Sequence, residues 1–428
     1  MQISLNIEHL RADVDLPSMR HVRQHWTSDP LKDIAARVCE QLDKVGLRQQ
    51  LKPGMHVALT AGSRGIRNIA TILQTGANWL RTLGVHPFVV PAMGSHGGAT
   101  AEGQLKLLEG LGITEATLGC PIRATMNVVE LGKLSDGTPV YMDYFAAEAD
   151  GVLIVNRIKP HTSFTGDVES GLAKMCAVGL GKQRGAQVFH ANGVHGMRQK
   201  ITPIARMMIE RGNVLAGLAI LEDATESTHD IVAVPAAEIG GHAEAELLER
   251  SKTLVARLPF DQIDVLVVDE IGKDISGTGM DTNVIGRVRI PGEVDPLDPN
   301  IHVIVALDLS NNSQGNGAGM GLADLVPAHL VQKVDFGSTY INHLTSGLIG
   351  LQRGAMPITL STPRDAIAMA IQVCGQSRPE DVRLVRIHNT LQLEDLWVSP
   401  ALLPDVQNNT NLELGEVSEW YGLEETTG

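Results

Sequence analysis

The sequence predicts an α/β protein of two domains. An N-terminal domain carries a mostly parallel sheet with crossover helices, and a second α/β domain follows. Three observations carry this. At 428 residues the chain exceeds the size at which one hydrophobic core stops growing. Short apolar runs alternate with helix-period stretches from residue 56 to residue 112, the pattern of parallel strands joined by crossover helices. A second set of apolar strands begins at residue 262, so the boundary is set at 260, with residues 1–260 in the first domain and 261–428 in the second.

In chain order, residues 2–7 alternate and read as a strand. Residues 30–49 show helical apolar spacing through Leu31, Ile34, Ala35, Val38, Leu42 and Val45. HVALTAGS (56–63) is a buried strand ending in a turn, and 65–84 is a helix with a glycine stop. HPFVVPAMGSHGG (86–98) is strand then loop. Residues 101–112 form a helix, with Thr100 as its N-cap. GVLIVN (151–156) is a third strand. A helix over 196–211, a strand over 214–220 and a long helix over 237–256 complete the first part. In the second part, strands 262–272 and 301–309 each precede a loop rich in Gly and Asn or Asp, 273–287 and 310–324. Helices near 335–347 and 363–375 and a strand at 382–386 follow. The last dozen residues are acidic and polar and are expected to fray. No internal repeat or low-complexity tract is visible.

Composition excludes several classes. The net charge of −14 argues against a nucleic-acid binder, because phosphate contacts need a basic face. An anionic small molecule would need a local positive funnel. The four cysteines, Cys39, Cys120, Cys176 and Cys374, show neither CxxC pairing nor a disulfide framework. No basic, apolar leader opens the sequence and no apolar run reaches membrane-spanning length. A reducing, cytoplasmic setting is therefore expected.

In parallel sheets, ligands bind beyond the carboxyl ends of the strands. Three segments that leave strand ends hold the reactive residues. GSRGIRN (62–68) brings Arg64 and Arg67 to a glycine-bounded turn suited to an anion, although it is neither GxGxxG nor a Walker loop. MGSHGGAT (93–100) sets His96 among glycines, with few side chains to pack on it. Asn156 to Asn192 is read as an active-site loop. Pro160 stiffens the chain between Lys159 and His161, and a general base needs such fixing. Lys174 lies in the apolar context SGLAKMCAVGLG, where a lysine is desolvated, snorkelling or attached to something. His190, sixteen residues later, is a candidate metal ligand or base. No HExxH and no cysteine pair supports a zinc site. The residues alone suggest proton abstraction from, or hydride chemistry on, a small anion held by Arg64, Arg67 and Lys159.

This stretch resembles the nickel-pincer lactate racemase family. The match lies in a KPH histidine, a glycine-rich turn, Lys174-Met175 leading to Gly179, the sixteen-residue interval to His190, and the upstream Gly-x-His loop at His96. It covers about residues 50–195, and it implies an N-terminal domain that holds the cofactor and a smaller α/β C-terminal domain closing over it, with the active site in the cleft between them. The resemblance implies that Lys174 carries a covalently attached pyridinium thioamide nucleotide, whose two sulfurs and one ring carbon hold nickel. It implies that His190 is the fourth ligand, a chemically sensible square-planar set. His96 and His161 would be the acid/base pair, while hydride passes between the substrate carbon and the cofactor. The implied activity is racemisation or epimerisation of a 2-hydroxy acid, with accessory proteins to build and insert the cofactor. A homo-oligomer is compatible with this reading.

The departures concern substrate. Lactate racemases typically have D-x-x-R in the first loop, whereas here Ser63 stands in place of the acid and Arg64 or Arg67 is the carboxylate clamp. The C-terminal Tyr-Gln-x-x-Lys pattern is not evident. A larger hydroxylated acid, such as a sugar acid, could use Asp281, Asn283, Asn311, Asn312 and Asn316, unless these only close Asx turns. The alternatives are a cofactor-free sugar-acid dehydratase and a non-catalytic binding homologue.

Overall fold

The computed structural model describes residues 7–63, 65–191 and 193–423. The chain is mixed α/β and divides into two compact units, Ser28–Val255 and Met1–Thr27 with Ala256–Gly428.

The Ser28–Val255 unit holds a five-stranded sheet. Its order is His86–Pro91, His56–Ala61, Gly151–Arg157, Val214–Glu222, Thr228–Pro235. The first four strands are parallel and the fifth is antiparallel. Their interiors are continuously apolar and buried, as in Val57–Leu59 and Val152–Val155. That is the signature of parallel strands covered on both faces. The helix Ile69–Thr82 buries Ile69, Ile72, Leu73, Gly76, Ala77 and Leu80. A Cβ at Gly76 would sit 3.2 Å from Leu59 Cδ2, so this glycine lets helix and strand pack closely. Each fully buried Leu or Ile in such a layer contributes about 1.5–3 kcal/mol. As expected, Thr100 caps the helix Ala101–Gly110 by accepting the Gly103 N–H at 3.0 Å.

The other unit is built on an eight-stranded sheet. Its order is Ile358–Leu360, Leu325–Pro327, Asn300–Leu309, Gln262–Ile271, Leu384–Asn389, Gln392–Val398, Met19–Gln24, Leu412–Ser418. The first five strands are parallel. The last three add antiparallel, with Met19–Gln24 paired to a strand on each side. Arg386 is 3 % exposed. It donates to Asp269 at 2.7 Å and to the Tyr421 carbonyl at 3.0 Å, beneath the rings of Trp420 and Tyr421.

Several expectations change. Residues 2–6 of the strand expected at 2–7 lie outside the described residues. Of the last dozen residues expected to fray, 424–428 lie outside the described residues, while Trp420 Nε1 donates to the Pro17 carbonyl at 2.9 Å and the Tyr421 carbonyl accepts from Arg386 at 3.0 Å. The segment expected to be a loop to Asn192 is irregular only to Gly171. Helix then runs as Leu172–Lys174, a π-helix Met175–Leu180 and Lys182–His190. Leu172, Ala173, Met175, Cys176, Ala177 and Leu180 are buried, and that apolar face outweighs the glycines. Gly179 is there for close approach, since a Cβ would lie 2.5 Å from Met175 Sδ and 2.7 Å from the Ala92 carbonyl.

Among the described residues, no helix is long and apolar enough to cross a membrane.

Candidate active site

Four strands of the Ser28–Val255 sheet end at Ala61, Pro91, Arg157 and Glu222. The segments that leave the first three converge on the π-helix. A π-helix is rare and often marks a functional site. Gly62 lies against it, with its Cβ direction 3.3 Å from Met175 Cε. Gly94, at φ +59°, packs on Val178 and donates its N–H to the Gly179 carbonyl at 3.1 Å. Asn156, near the end of the third strand, donates to the Gly171 carbonyl at 2.8 Å. A Cβ at Gly94 would meet the Val178 side chain and carbonyl at 3.3 Å, and there the left-handed backbone itself favours glycine.

Lys174 is half-buried at the end of the Leu172–Lys174 turn. The opening of that turn is held by Glu244, which is 1 % exposed. Its carboxylate accepts the Ala173 N–H at 3.1 Å and 3.2 Å and the Gly240 N–H at 2.8 Å. Burial raises the Glu244 carboxyl and these N–H donors oppose the rise. His190 ends the Lys182–His190 helix and is an exposed residue. Even so, protein crowds its imidazole. Burial first, and then the nearby Lys174 ammonium, push its pKa from 6.5 down to about 4. The structure therefore brings Lys174 and His190 within electrostatic reach of each other and keeps the imidazole neutral, as a metal ligand must be.

His96 is exposed at the end of the glycine turn, and its Nδ1 makes a short hydrogen bond with Ser63 Oγ. Ser63 thus orients one candidate histidine. His161 is half-buried, its ring 4.4 Å from Phe164. Its Nδ1 accepts the Ser163 N–H at 3.0 Å. Lys159 pairs through its backbone with Ser170, at 2.9 Å and 3.3 Å. Arg67 has an exposed side chain and an anchored backbone: its N–H donates to Glu222 at 2.6 Å and its carbonyl accepts from Thr228 at 3.0 Å. Arg64 lies outside the described residues.

The positive funnel is smaller than the basic sequence suggests. Lys182 is fully buried, 3.0 Å from the equally buried Asp143 carboxylate. It donates to the Pro91 carbonyl and, at 3.0 Å, to Gln104 Oε1. Gln104 in turn donates to the Gly94 and His96 carbonyls at 3.0 Å and 3.3 Å. Lys182 is thus a strut under the His96 turn. Arg157 is spent on an ion pair with Glu222. Cys176, two residues from Lys174, is a fully buried thiol pushed up by desolvation, which makes it inert.

In the other unit, Asp281 Oδ1 accepts from the backbone and side-chain nitrogens of Asn283 at 2.9 Å and 3.0 Å. Asn316 Oδ1 accepts the Ala318 N–H at 3.1 Å. These three side chains close turns. Among the described residues, no group of three His, Cys, Asp or Glu could hold a metal ion.

Residues 14–201 match the family model described as the lactate racemase N-terminal domain. That span includes every candidate residue from Arg64 to His190. No curated protein matches the sequence. Among solved structures, the chain is similar to the lactate racemase apoprotein from Thermoanaerobacterium thermosaccharolyticum, with 13% identity and a TM-score of 0.43 over 67% of this chain and 74% of that one.

Proposed function

We propose, from the match of residues 14–201 to the lactate racemase N-terminal domain, that this chain is a racemase or epimerase of a 2-hydroxy acid, working with a nickel-pincer nucleotide attached to Lys174. What supports the reading is the placement of Lys174 just before the π-helix and of His190 at the end of the helix that follows it, within electrostatic reach of each other. A pincer nucleotide brings three of its own donors and asks the protein for one attachment lysine and one imidazole. When bound, it would accept and return the substrate's carbon-bound hydrogen as hydride.

The chain's own residues do the rest. Lys174, seated by Glu244, fixes where the group attaches. His190 offers an unprotonated ring nitrogen to the metal. His96 and His161 are the two imidazoles that serve the substrate hydroxyl. Arg64 or Arg67, together with Lys159, is the clamp on its carboxylate, by charge-assisted hydrogen bonds. Ser63 in place of an acid, and the absence of a Tyr-Gln-x-x-Lys pattern, favour a substrate larger than lactate.

The test is intact mass with nickel content, on protein co-expressed with cofactor-synthesis enzymes. A mass increase mapping to the Lys174 peptide, about one nickel per chain, and inversion of a 2-hydroxy acid are expected. An unmodified mass beside a loaded positive control from the same host would sink the proposal.

A further inference from the structure

Glu169 is the one buried carboxylate in the Lys159–Ser170 segment, and no step above uses it. It is 1 % exposed. Its Oε2 accepts the His161 N–H at 2.7 Å and its Oε1 accepts the Gly166 N–H at 3.2 Å. Lys252, from the helix His242–Leu254, sits 3.1 Å from Oε1. One carboxylate thus gathers two points of the segment, while the Lys159–Ser170 bridge closes its neck. Arg198 adds a donor to the Thr165 carbonyl at 2.8 Å. The turn so formed delivers the Ser163 N–H to His161 Nδ1 and lays the ring on Phe164.

A backbone N–H can only donate, so Nδ1 must present its lone pair. A neutral His161 therefore carries its proton on Nε2. Such a ring can donate a hydrogen bond to a substrate oxygen. It cannot take a proton at Nε2, and protonation at Nδ1 would displace the Ser163 N–H. His96 is differently placed. Its Nδ1 partner is the Ser63 hydroxyl, which can accept as readily as donate, so Nε2 can be left bare.

We propose that Glu169 is a positioning residue that holds His161 in the Nε2–H tautomer, making His161 the hydrogen-bond donor to the substrate oxygen and His96 the group that takes the hydroxyl proton. The tautomer stands on this chain's geometry alone. The division of labour rests on the racemase reading. In the step concerned, the substrate O–H bond breaks, its proton forms a bond to His96 Nε2, and the His96 Nδ1–H donates to Ser63 Oγ. The oxygen left behind is held by His161 Nε2–H, as a neutral imidazole polarises a carbonyl.

The first experiment needs no cofactor. In histidine-15N-labelled apo-protein at alkaline pH, with His161 assigned by its loss in His161→Gln, Nε2 should give a pyrrole-type resonance and Nδ1 a pyridine-type one. In Glu169→Leu the two should move towards each other as the tautomers exchange. Should that variant fail to fold, Glu169→Gln, which keeps one acceptor oxygen, should show a smaller movement. A wild-type ring protonated at Nδ1, or a tautomer unmoved in folded Glu169 variants, overturns the proposal.

In loaded enzyme, His161→Gln, whose amide can donate where Nε2–H did, should keep kcat at least tenfold above His161→Leu. Gln and Leu at position 96 should be equally inactive. Equal loss for Gln and Leu at 161 overturns the division of labour. If the tautomer pattern holds and no 2-hydroxy acid turns over, the racemase reading fails and the role of Glu169 stands.

Discussion

Replacing Lys182 by methionine tests whether the buried strut under the His96 turn behaves as the geometry demands. The ammonium and its partner carboxylate are both 0 % exposed and 3.0 Å apart. Burial pushes the lysine down and the aspartic acid up, while their mutual attraction opposes both shifts. Methionine fills a similar volume but donates nothing. Pro91 and Gln104 each lose a donor, and Asp143 keeps only backbone donors, the Ala146 N–H at 3.0 Å and the Phe145 N–H. Breaking a buried pair from one side costs about 3–5 kcal/mol, because a charge is left uncompensated. For a unit of this size each kcal/mol moves Tm by about 2–4 °C, so a drop of about 10 °C is expected. Lys182→Met with Asp143→Asn removes the stranded charge and keeps the cap on Ala146. That double variant should recover at least half of the loss. Thermal unfolding of both single variants and the double gives the coupling. Additive costs, or a Lys182→Met loss below about 1 kcal/mol, would refute the strut.

Two other outcomes follow from the site. His190, with its folded pKa near 4 against 6.5 unfolded, binds fewer protons folded than unfolded between those values. Its neutral form therefore supports the fold fully above pH 6.5, and that support is lost as pH falls towards 4. An NMR titration of apo-protein should find its midpoint near 4, and Lys174→Gln should raise it partway towards 6.5; a wild-type midpoint at 6.5 would falsify the coupling. Ser63→Ala removes the hydrogen bond at His96 Nδ1 on an exposed turn. Turnover by loaded enzyme should fall about tenfold, the worth of one orienting hydrogen bond, with stability within about 0.5 kcal/mol of wild type. Ser63→Thr should restore turnover, and unchanged turnover in Ser63→Ala would exclude the orienting role.

The sequence announces its strands through composition. Apolar runs at 56–61, 86–91, 151–157, 214–222, 262–271 and 300–309 all form strands, because strands buried on both faces carry unbroken apolar signals. Met19–Gln24, Gln392–Val398 and Leu412–Ser418 are half-exposed and mix charge with apolar residues, so no run marks them. The helical path from Leu172 to His190 was hidden by its glycines, whose role in close packing shows only once Ala92 and Met175 are seen beside Gly179. Candidate histidines and Lys174 were legible from residue type and spacing. Their supports were not. Glu169, Glu244 and Gln104 act through backbone groups or from elsewhere in the chain, and nothing in the local sequence distinguishes them from surface residues. Nor was the burial of Lys182 legible, because a lysine's burial cannot be read from its neighbours in the chain.

The strand Met19–Gln24 is synthesised well before either of its sheet neighbours. Those neighbours are Gln392–Val398 and Leu412–Ser418, and Arg20 reaches the carbonyl of Gly415, 395 residues downstream. All the residues of Ser28–Val255 are translated in between and contain a complete sheet of their own. Nascent chains should therefore acquire the candidate site's unit while the opening strand is still waiting for partners. Closing so long a loop costs about 5 kcal/mol of chain entropy, and a prefolded insert shortens the effective loop. Ribosome-bound chains halted before residue 392 should thus resist protease over 28–255 while remaining cleavable ahead of Ser28.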